Sequence, residues 1–179
     1  MLITISGPPG SGKTTAGRLL AERLHMEFVS TGIIFRKMAD ERGLSLEEFG
    51  EMASNDQEID KELDKRMVAL AKEGKDMVLE GRLAGHMVHL NGIKSFKVWI
   101  DAHIHTRSER IAGREGKTLD QVKEEIITRH SCERERYLRL YNIDLDSLAV
   151  YDCVVNTDDM RPEEVVDAIL RDMGEKELV

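Results

Sequence analysis

The stretch Gly7-Pro8-Pro9-Gly10-Ser11-Gly12-Lys13-Thr14-Thr15 leaves this chain few folds to choose from. It follows the apolar run Leu-Ile-Thr-Ile-Ser at 2–6. It precedes a segment, 13–25, with leucines at 19, 20 and 24 and charges opposite them. A strand that turns into a helix through the spacing Gly-x-x-x-x-Gly-Lys-Thr is an anion cradle. Gly7, Gly10 and Gly12 let the backbone curl its N–H groups around phosphate oxygens. The helix start adds partial positive charge. In this reading Lys13 reaches the β- and γ-phosphates of a nucleoside triphosphate. Thr14 holds Mg²⁺ through its hydroxyl, and Pro8, Pro9, Ser11 and Thr15 complete the loop.

Further apolar runs at 26–30, 76–80, 95–100 and 152–156 read as strands. Most are continuously apolar rather than alternating, which suits parallel strands buried on both faces. Helical patterns lie between them. One spans 31–43 and closes on Gly43. A capping box, Ser45 to Glu48, opens the next. Ile59, Leu63, Met67 and Leu70 form one stripe that stops at Gly74. Another helix covers 103–114. A second capping box, Thr118 to Gln121, opens a long helix to about Leu140. The last pattern starts at Pro162 and ends at Gly174.

Alternation of strand and helix predicts an α/β fold, a five-stranded parallel sheet flanked by helices and joined by right-handed crossovers. The gaps after the second and fourth strands are long and filled by helices. Both attach at carboxyl ends of strands, where open α/β folds hold ligands. There is no internal repeat and no Pro/Gly-rich linker, so residues 1–179 are expected to form one domain.

The net charge of −8 argues against a nucleic-acid partner, which calls for a basic face. No apolar run approaches the roughly 18–20 residues of a membrane span. The N-terminus lacks a signal-peptide pattern. A cytoplasmic monomer with reduced Cys132 and Cys153 is expected. His86, His89, His103 and His105 match no zinc spacing.

The phosphate cradle alone specifies only a nucleotide. No Asn-Lys-x-Asp segment is present to read guanine. Four other blocks describe a second site. Ser30, Thr31 and Gly32 can open a helix, with Arg36 about one turn on, placed to grasp a phosphate with two parallel hydrogen bonds. Glu80 ends the third strand, where a carboxylate acts on Mg²⁺ or its water, and Gly81 and Arg82 follow. Arg107, Arg110 and Arg114 share one helix face. Arg129, Glu133 and Arg136 share another, with Arg134 pointing away. Taken singly, each block also reads as a solvated helix face or strand end. Together they supply the positive charge that transfer between two phosphorylated partners demands.

With these blocks in hand, the chain resembles the nucleoside monophosphate kinases of the P-loop NTPase fold, and within them the archaeal type of cytidylate kinase. The resemblance covers nearly the whole chain. It rests on GPPGSGKTT, STGIIFR, LEGRLAG, ERIAGREG, RHSCERERY with YNID, and VVNT. It implies transfer of the γ-phosphate of ATP, with Mg²⁺, to CMP or dCMP, giving ADP and CDP or dCDP. By this likeness Gly7 to Thr15 hold ATP, with Asn156 and Thr157 at the adenine loop. Ser30, Thr31, Gly32, Arg36, Gly81 and Arg82 hold the acceptor. Arg129 and Arg136 surround the transferring group, Glu133 lies near the acceptor nucleoside, and Arg110 and Arg114 are lid arginines. Lys13, Arg110, Arg114, Arg129 and Arg136 are thus the expected catalytic set, and Thr14 and Glu80 the metal side.

The expected division is a core of 1–30, 74–106 and 141–179, an NMP-binding insertion at about 31–73 and a lid at about 107–131. Leu83 stands where bacterial members carry an aspartate that helps read the base. Ser30 stands where they carry an acid, and Ile33 where many archaeal members carry Asp. The alternatives are another small-molecule kinase, with UMP, AMP or shikimate as acceptor, and a factor that binds ATP without transfer.

Overall fold

The computed structural model of the chain describes residues 1–177. Five strands, β1 (Leu2–Ser6), β2 (Glu27–Ser30), β3 (Met77–Glu80), β4 (Phe96–Asp101) and β5 (Cys153–Asn156), form one parallel sheet in the order β2-β3-β1-β4-β5. The five anticipated strands are all present, each within a residue of its expected span. Residues of β1 and β3 are buried throughout, as continuously apolar central strands require.

The registers set the chemistry. Ile5 and Ser30 both pair with Glu80, and Ser6 pairs with Trp99. The carboxyl ends of the central strands therefore meet at one edge. The chain leaves β1 there, and β1's two neighbours belong to connections on opposite sides. This is the switch-point crevice of an open parallel sheet.

One face of the sheet is covered by α1 (Lys13–Leu24) and α8 (Pro162–Glu177), packed on Ile3, Ile5, Val78, Val98 and Ile100. The other is covered by α2 (Thr31–Glu41), α3 (Leu46–Asn55), α4 (Gln57–Lys72) and α5 (Ala84–Leu90), around Val29, Met38, Phe49, Met67 and Leu79. Ile59 and Met67 lie in that core, with Leu63 and Leu70 packed partly buried against it, as the stripe in the sequence requires. The remaining helices, α6 (Ile104–Glu115) and α7 (Leu119–Tyr141), have a small core of their own in Ile111, Val122 and Ile126. No helix among the described residues is long and apolar enough to cross a membrane.

Helix ends follow local chemistry. Both anticipated capping boxes form, Ser45 with Glu48 and Thr118 with Gln121. Gly43 and Gly74 take positive φ values of 65° and 72° just beyond α2 and α4. Gly174 differs from expectation. It does not end α8, which continues to Glu177. A glycine inside a helix costs about 1 kcal/mol but does not force a stop, and Glu175 and Lys176 favour helix. The sequence pattern also misses α5. Its residues Ala84 to Val88 are all buried, so no polar face marks the period.

The C-terminal half of α7 is tied to α4. Arg136 Nη1 lies 2.8 Å from Asp60 Oδ2, and the Tyr141 hydroxyl donates to Asp64 Oδ2 at 2.7 Å. Burial pushes the Asp64 carboxyl up to about 6, beyond what the Tyr141 hydrogen bond and Arg136 offset. Below about pH 4 both folded and unfolded chains hold this proton. As pH rises, the unfolded chain ionises first, so the native state binds more protons and stability falls until the native carboxyl ionises too. Replacing Asp64 with Asn, which still accepts from Tyr141, is therefore expected to raise stability by about 1–2 kcal/mol at pH 8 and to leave it unchanged at pH 4. Denaturant unfolding at the two pH values checks this.

Candidate active site

The loop from Gly7 to Gly12 leaves β1 and delivers Lys13 to the first turn of α1. Two glycines carry its shape. Gly12 caps α1 at φ 91°, and Gly10 sits at φ 79°. A side chain at 10 would place its Cβ 2.7 Å from the Arg107 carbonyl oxygen, so α6 is pressed against the loop. Arg107 Nη1 donates to the Pro9 carbonyl at 3.3 Å and its Nε to Ala102 at 2.9 Å. Arg110 donates to the Gly10 carbonyl at 3.3 Å and to the Thr157 carbonyl at 2.7 Å. The buried Thr157 hydroxyl donates in turn to the Ser11 carbonyl at 2.8 Å. The loop wall is thus fixed from outside, and within it the Ser11 N–H donates to the Pro8 carbonyl at 3.3 Å.

Inside the curl, Lys13 Nζ donates to the Pro8 carbonyl at 3.4 Å and lies 4.0 Å from Glu80 Oε1. Burial lowers the Lys13 pKa, with Arg82 and Arg129 adding to the effect and Glu80 opposing it. The Thr14 hydroxyl donates to Glu80 Oε2 at 3.3 Å. A hydroxyl and a carboxylate side by side, at the edge of an anion cradle, are hard oxygen donors. They fit Mg²⁺, which takes few protein ligands and completes its shell with phosphate oxygens and water.

Gly12, Thr15, Arg110, Arg114 and Thr157 line a cavity of about 330 Å³ beside the start of α8. Arg114 is exposed, 3.4 Å from Glu115. The Asn156 side chain accepts from the Asp158 N–H at 2.9 Å and holds the turn after β5.

Across the crevice, the Ser30 hydroxyl accepts from Ile33 N–H at 3.1 Å and caps α2. Thr31 opens that helix against Gly81. A Cβ at 81 would come 2.5 Å from Thr31 Cγ2, so only glycine lets the end of β3 meet α2 this closely. Gly32 and Arg36 are exposed, and Arg36 has no ion-pair partner among the described residues. Leu83 is buried in the core under α5.

The densest charge lies on α7. Glu133 is only 5% exposed. Its Oε2 accepts from Arg82 Nε at 2.8 Å and its Oε1 from Arg129 Nε at 2.7 Å. Burial alone would raise the Glu133 carboxyl. Arg129 and Arg82 outweigh it and hold the pKa below the ordinary carboxylate range. Arg136 joins the same wall through Asp60 and through the Tyr137 hydroxyl at 3.1 Å. Two guanidinium nitrogens, Arg82 Nη1 and Arg136 Nε, are buried with no hydrogen-bond partner among the described residues.

Contacts bring Lys13, Thr14 and Glu80 together beneath the loop, and Arg82, Arg129 and Glu133 together at α7, while no hydrogen bond or ion pair among the described residues ties Arg36 to either group. Arg134 is directed away from Glu133, onto Asp146 at 3.2 Å, as its helical position predicts. Three participants, Asp60, Asp146 and His130, carry no signal in the sequence. Only tertiary packing brings them to the arginines.

A profile of the cytidylate kinase-like family matches residues 2–159. The cytidylate kinase of Methanobrevibacter smithii is 45% identical over 170 residues, covering 95% of this chain and 96% of that protein. The cytidylate kinase of Pyrococcus horikoshii is 46% identical over 165 residues, covering 92% and 84%. Among solved structures, shikimate kinase from Aquifex aeolicus superposes with a TM-score of 0.69 at 22% identity, covering 99% of each chain, a likeness of fold.

Gly10→Ala tests the loop. Strain at positive φ together with the contact on the Arg107 carbonyl is worth about 1–3 kcal/mol. ATP binding by calorimetry is expected to weaken at least about tenfold, while far-UV circular dichroism stays unchanged.

Proposed function

The chain belongs to the cytidylate kinase-like family, and we propose from that premise how its residues divide the labour. It is an ATP-dependent kinase, a nucleoside monophosphate kinase that phosphorylates CMP. The bond between the γ-phosphorus and the β–γ bridging oxygen of ATP breaks. An oxygen of the CMP phosphate takes its place, and ADP and CDP leave. A factor that only binds ATP, or a kinase for UMP or AMP, is not favoured by these relatives.

The acceptor oxygen is already ionised at neutral pH, so no strong general base is needed. The obstacles are repulsion between two polyanions and attack by water. In our reading Gly7 to Thr15 grip the ATP phosphates, with Lys13 on the β- and γ-oxygens. Thr14 and Glu80 would hold Mg²⁺, which when bound would supply neutralisation of phosphate charge. Arg110 and Arg114 reach the ATP side, and Asn156 and Thr157 border the adenine. Ser30, Thr31, Gly32, Arg36, Gly81 and Arg82 take the CMP phosphate. Arg129 and Arg136 neutralise the group in flight, and Glu133 orients them beside the acceptor nucleoside.

The observation that carries this reading is the arginine cluster of Arg82, Arg129 and Arg136, held ready by Glu133 and Asp60 beyond the carboxyl end of β3. A phosphate oxygen is the partner that guanidinium donors suit. The α6–α7 hairpin, with its separate small core, serves as the lid at about 107–131. The segment at about 31–73 serves as the acceptor insertion, and the protein works as a monomer. Leu83, an apolar side chain in the core, offers the cytosine no polar group.

ADP release from ATP·Mg²⁺, with CMP, dCMP, UMP, AMP and GMP offered separately, tests the acceptor. Turnover with CMP and dCMP is expected. Turnover confined to another monophosphate overturns the base assignment. Lys13→Ala is expected to lower kcat by roughly 10²–10³, as loss of one transition-state donor does.

A further inference from the structure

Arg82 is gripped at two of its three nitrogens. Nε donates to Glu133 at 2.8 Å, Nη2 lies 3.1 Å from His130 Nδ1, and Nη1 is buried without a partner. A guanidinium can only donate. The His130 nitrogen facing it must therefore accept, which places the neutral ring's proton on Nε2. Asp146 Oδ1 lies 3.0 Å from that Nε2. The hydrogen bond runs from Arg82 to His130, and the Asp146 carboxylate beside Nε2 favours the ring proton there. Asp146 is itself fixed by Arg134 Nε at 3.2 Å.

We propose that His130 is a positioning residue for phosphoryl transfer. Its Nδ1 fixes the plane of the Arg82 guanidinium on the acceptor side, and the Asp146 carboxylate beside Nε2 favours the tautomer that lets it do so. One hydrogen bond, to Glu133, leaves a planar guanidinium free to swing about its Nε. A second on the neighbouring edge removes that freedom. The Trp99 ring, 5.7 Å from the Arg82 carbon, supports the plane from a third side. An error of 1 Å in such a donor can cost about 10²-fold in rate. The inference rests on Arg82 acting at the acceptor, as proposed above.

The arrangement holds only for the neutral ring. A second proton would sit on Nδ1 and set a donor against the Arg82 Nη2 donors, with two positive charges in contact. The charged groups facing His130 are Arg82 from the segment after β3 and Asp146 from the loop after α7. Asp101 at the end of β4 and Arg107 on α6 lie across the cavity of about 300 Å³ that His130 also lines. Glu133 and Arg134 act on it through Arg82 and Asp146. Acid should therefore loosen Arg82 and raise the KM for CMP.

The test is steady-state kinetics with CMP between about pH 5 and 8 for wild type, His130→Leu, His130→Asn and Arg82→Ala, with thermal unfolding of each. In Asn the Oδ1 can stand where Nδ1 stands and accept from Arg82, but it does not titrate. His130→Leu is expected to raise the KM for CMP about tenfold at pH 8 with the KM for ATP unchanged. His130→Asn is expected to stay within about twofold of wild type at pH 8 and to show a weaker rise of KM on acidification. Ionisation of the CMP phosphate is common to both enzymes, so their difference isolates the imidazole.

A wild-type KM in His130→Leu, or identical pH profiles for wild type and His130→Asn, would overturn the proposal. So would equal impairment of His130→Leu and His130→Asn at pH 8 with lowered melting temperatures, which marks a structural role. If Arg82→Ala itself leaves the KM for CMP unchanged, the acceptor role of Arg82 fails first. If Arg82→Ala is impaired and His130→Leu is not, only the positioning role fails.

Discussion

A carboxylate as buried as Glu133 stays ionised only because a guanidinium stands at each of its oxygens. The dependence runs both ways. Arg82 and Arg129 repel each other, and together they lower the proton affinity of Lys13. Without a central negative charge they could not be stored in one crevice before substrate arrives. Phosphoryl transfer needs positive charge already in place when the two polyanions meet, because reorganisation at that moment would raise the barrier. Glu133 holds Arg82 and Arg129 in place, and Asp60 does the same for Arg136.

The sheet makes this economy of charge possible. Parallel strands in the order β2-β3-β1-β4-β5 bring Ser30, Glu80 and the loop after β1 to one edge. Glu80 therefore sits beneath the loop after β1, 4.0 Å from Lys13 and 3.3 Å from Thr14. The small residues of the crevice are there because backbones meet. Gly10 lies against α6 and Gly81 against Thr31. The same contacts hold α6 and α2 close to the ends of β1 and β3.

Much of this was legible in the sequence, for identifiable reasons. The buried strands are short unbroken apolar runs, and helix starts are written in local capping chemistry at Ser45 and Thr118. The loop at 7–15 is a backbone device, so its glycine spacing betrays it. Arg129, Glu133 and Arg136 fall on one face by helical period alone. What failed to show is long-range or fully buried. Helix α5 has no polar face to mark it, and Gly174 was read as a stop that neighbouring helix formers override. The Arg82–Glu133 contact joins residues 51 apart in the chain. The roles of His130, Asp146 and Asp60 exist only once α7 lies across the end of β3 and against α4.

The unbroken length of α7 has a mechanical consequence. Its 23 residues end at Asn142 with φ 54°, and Gly116 with φ 67° closes the helix before it. A rod of about 35 Å hinged near Asn142 converts small angles into large displacements. A tilt of about 10° there carries the far tip about 6 Å, by simple proportion from that length. Arg136 lies close to the pivot and Arg129 further out along the arm. A tilt of that size moves Arg136 about 1.6 Å and Thr118 about four times as far, by the same proportion. Along such a lever Arg136 travels little and the tip at Thr118 travels most.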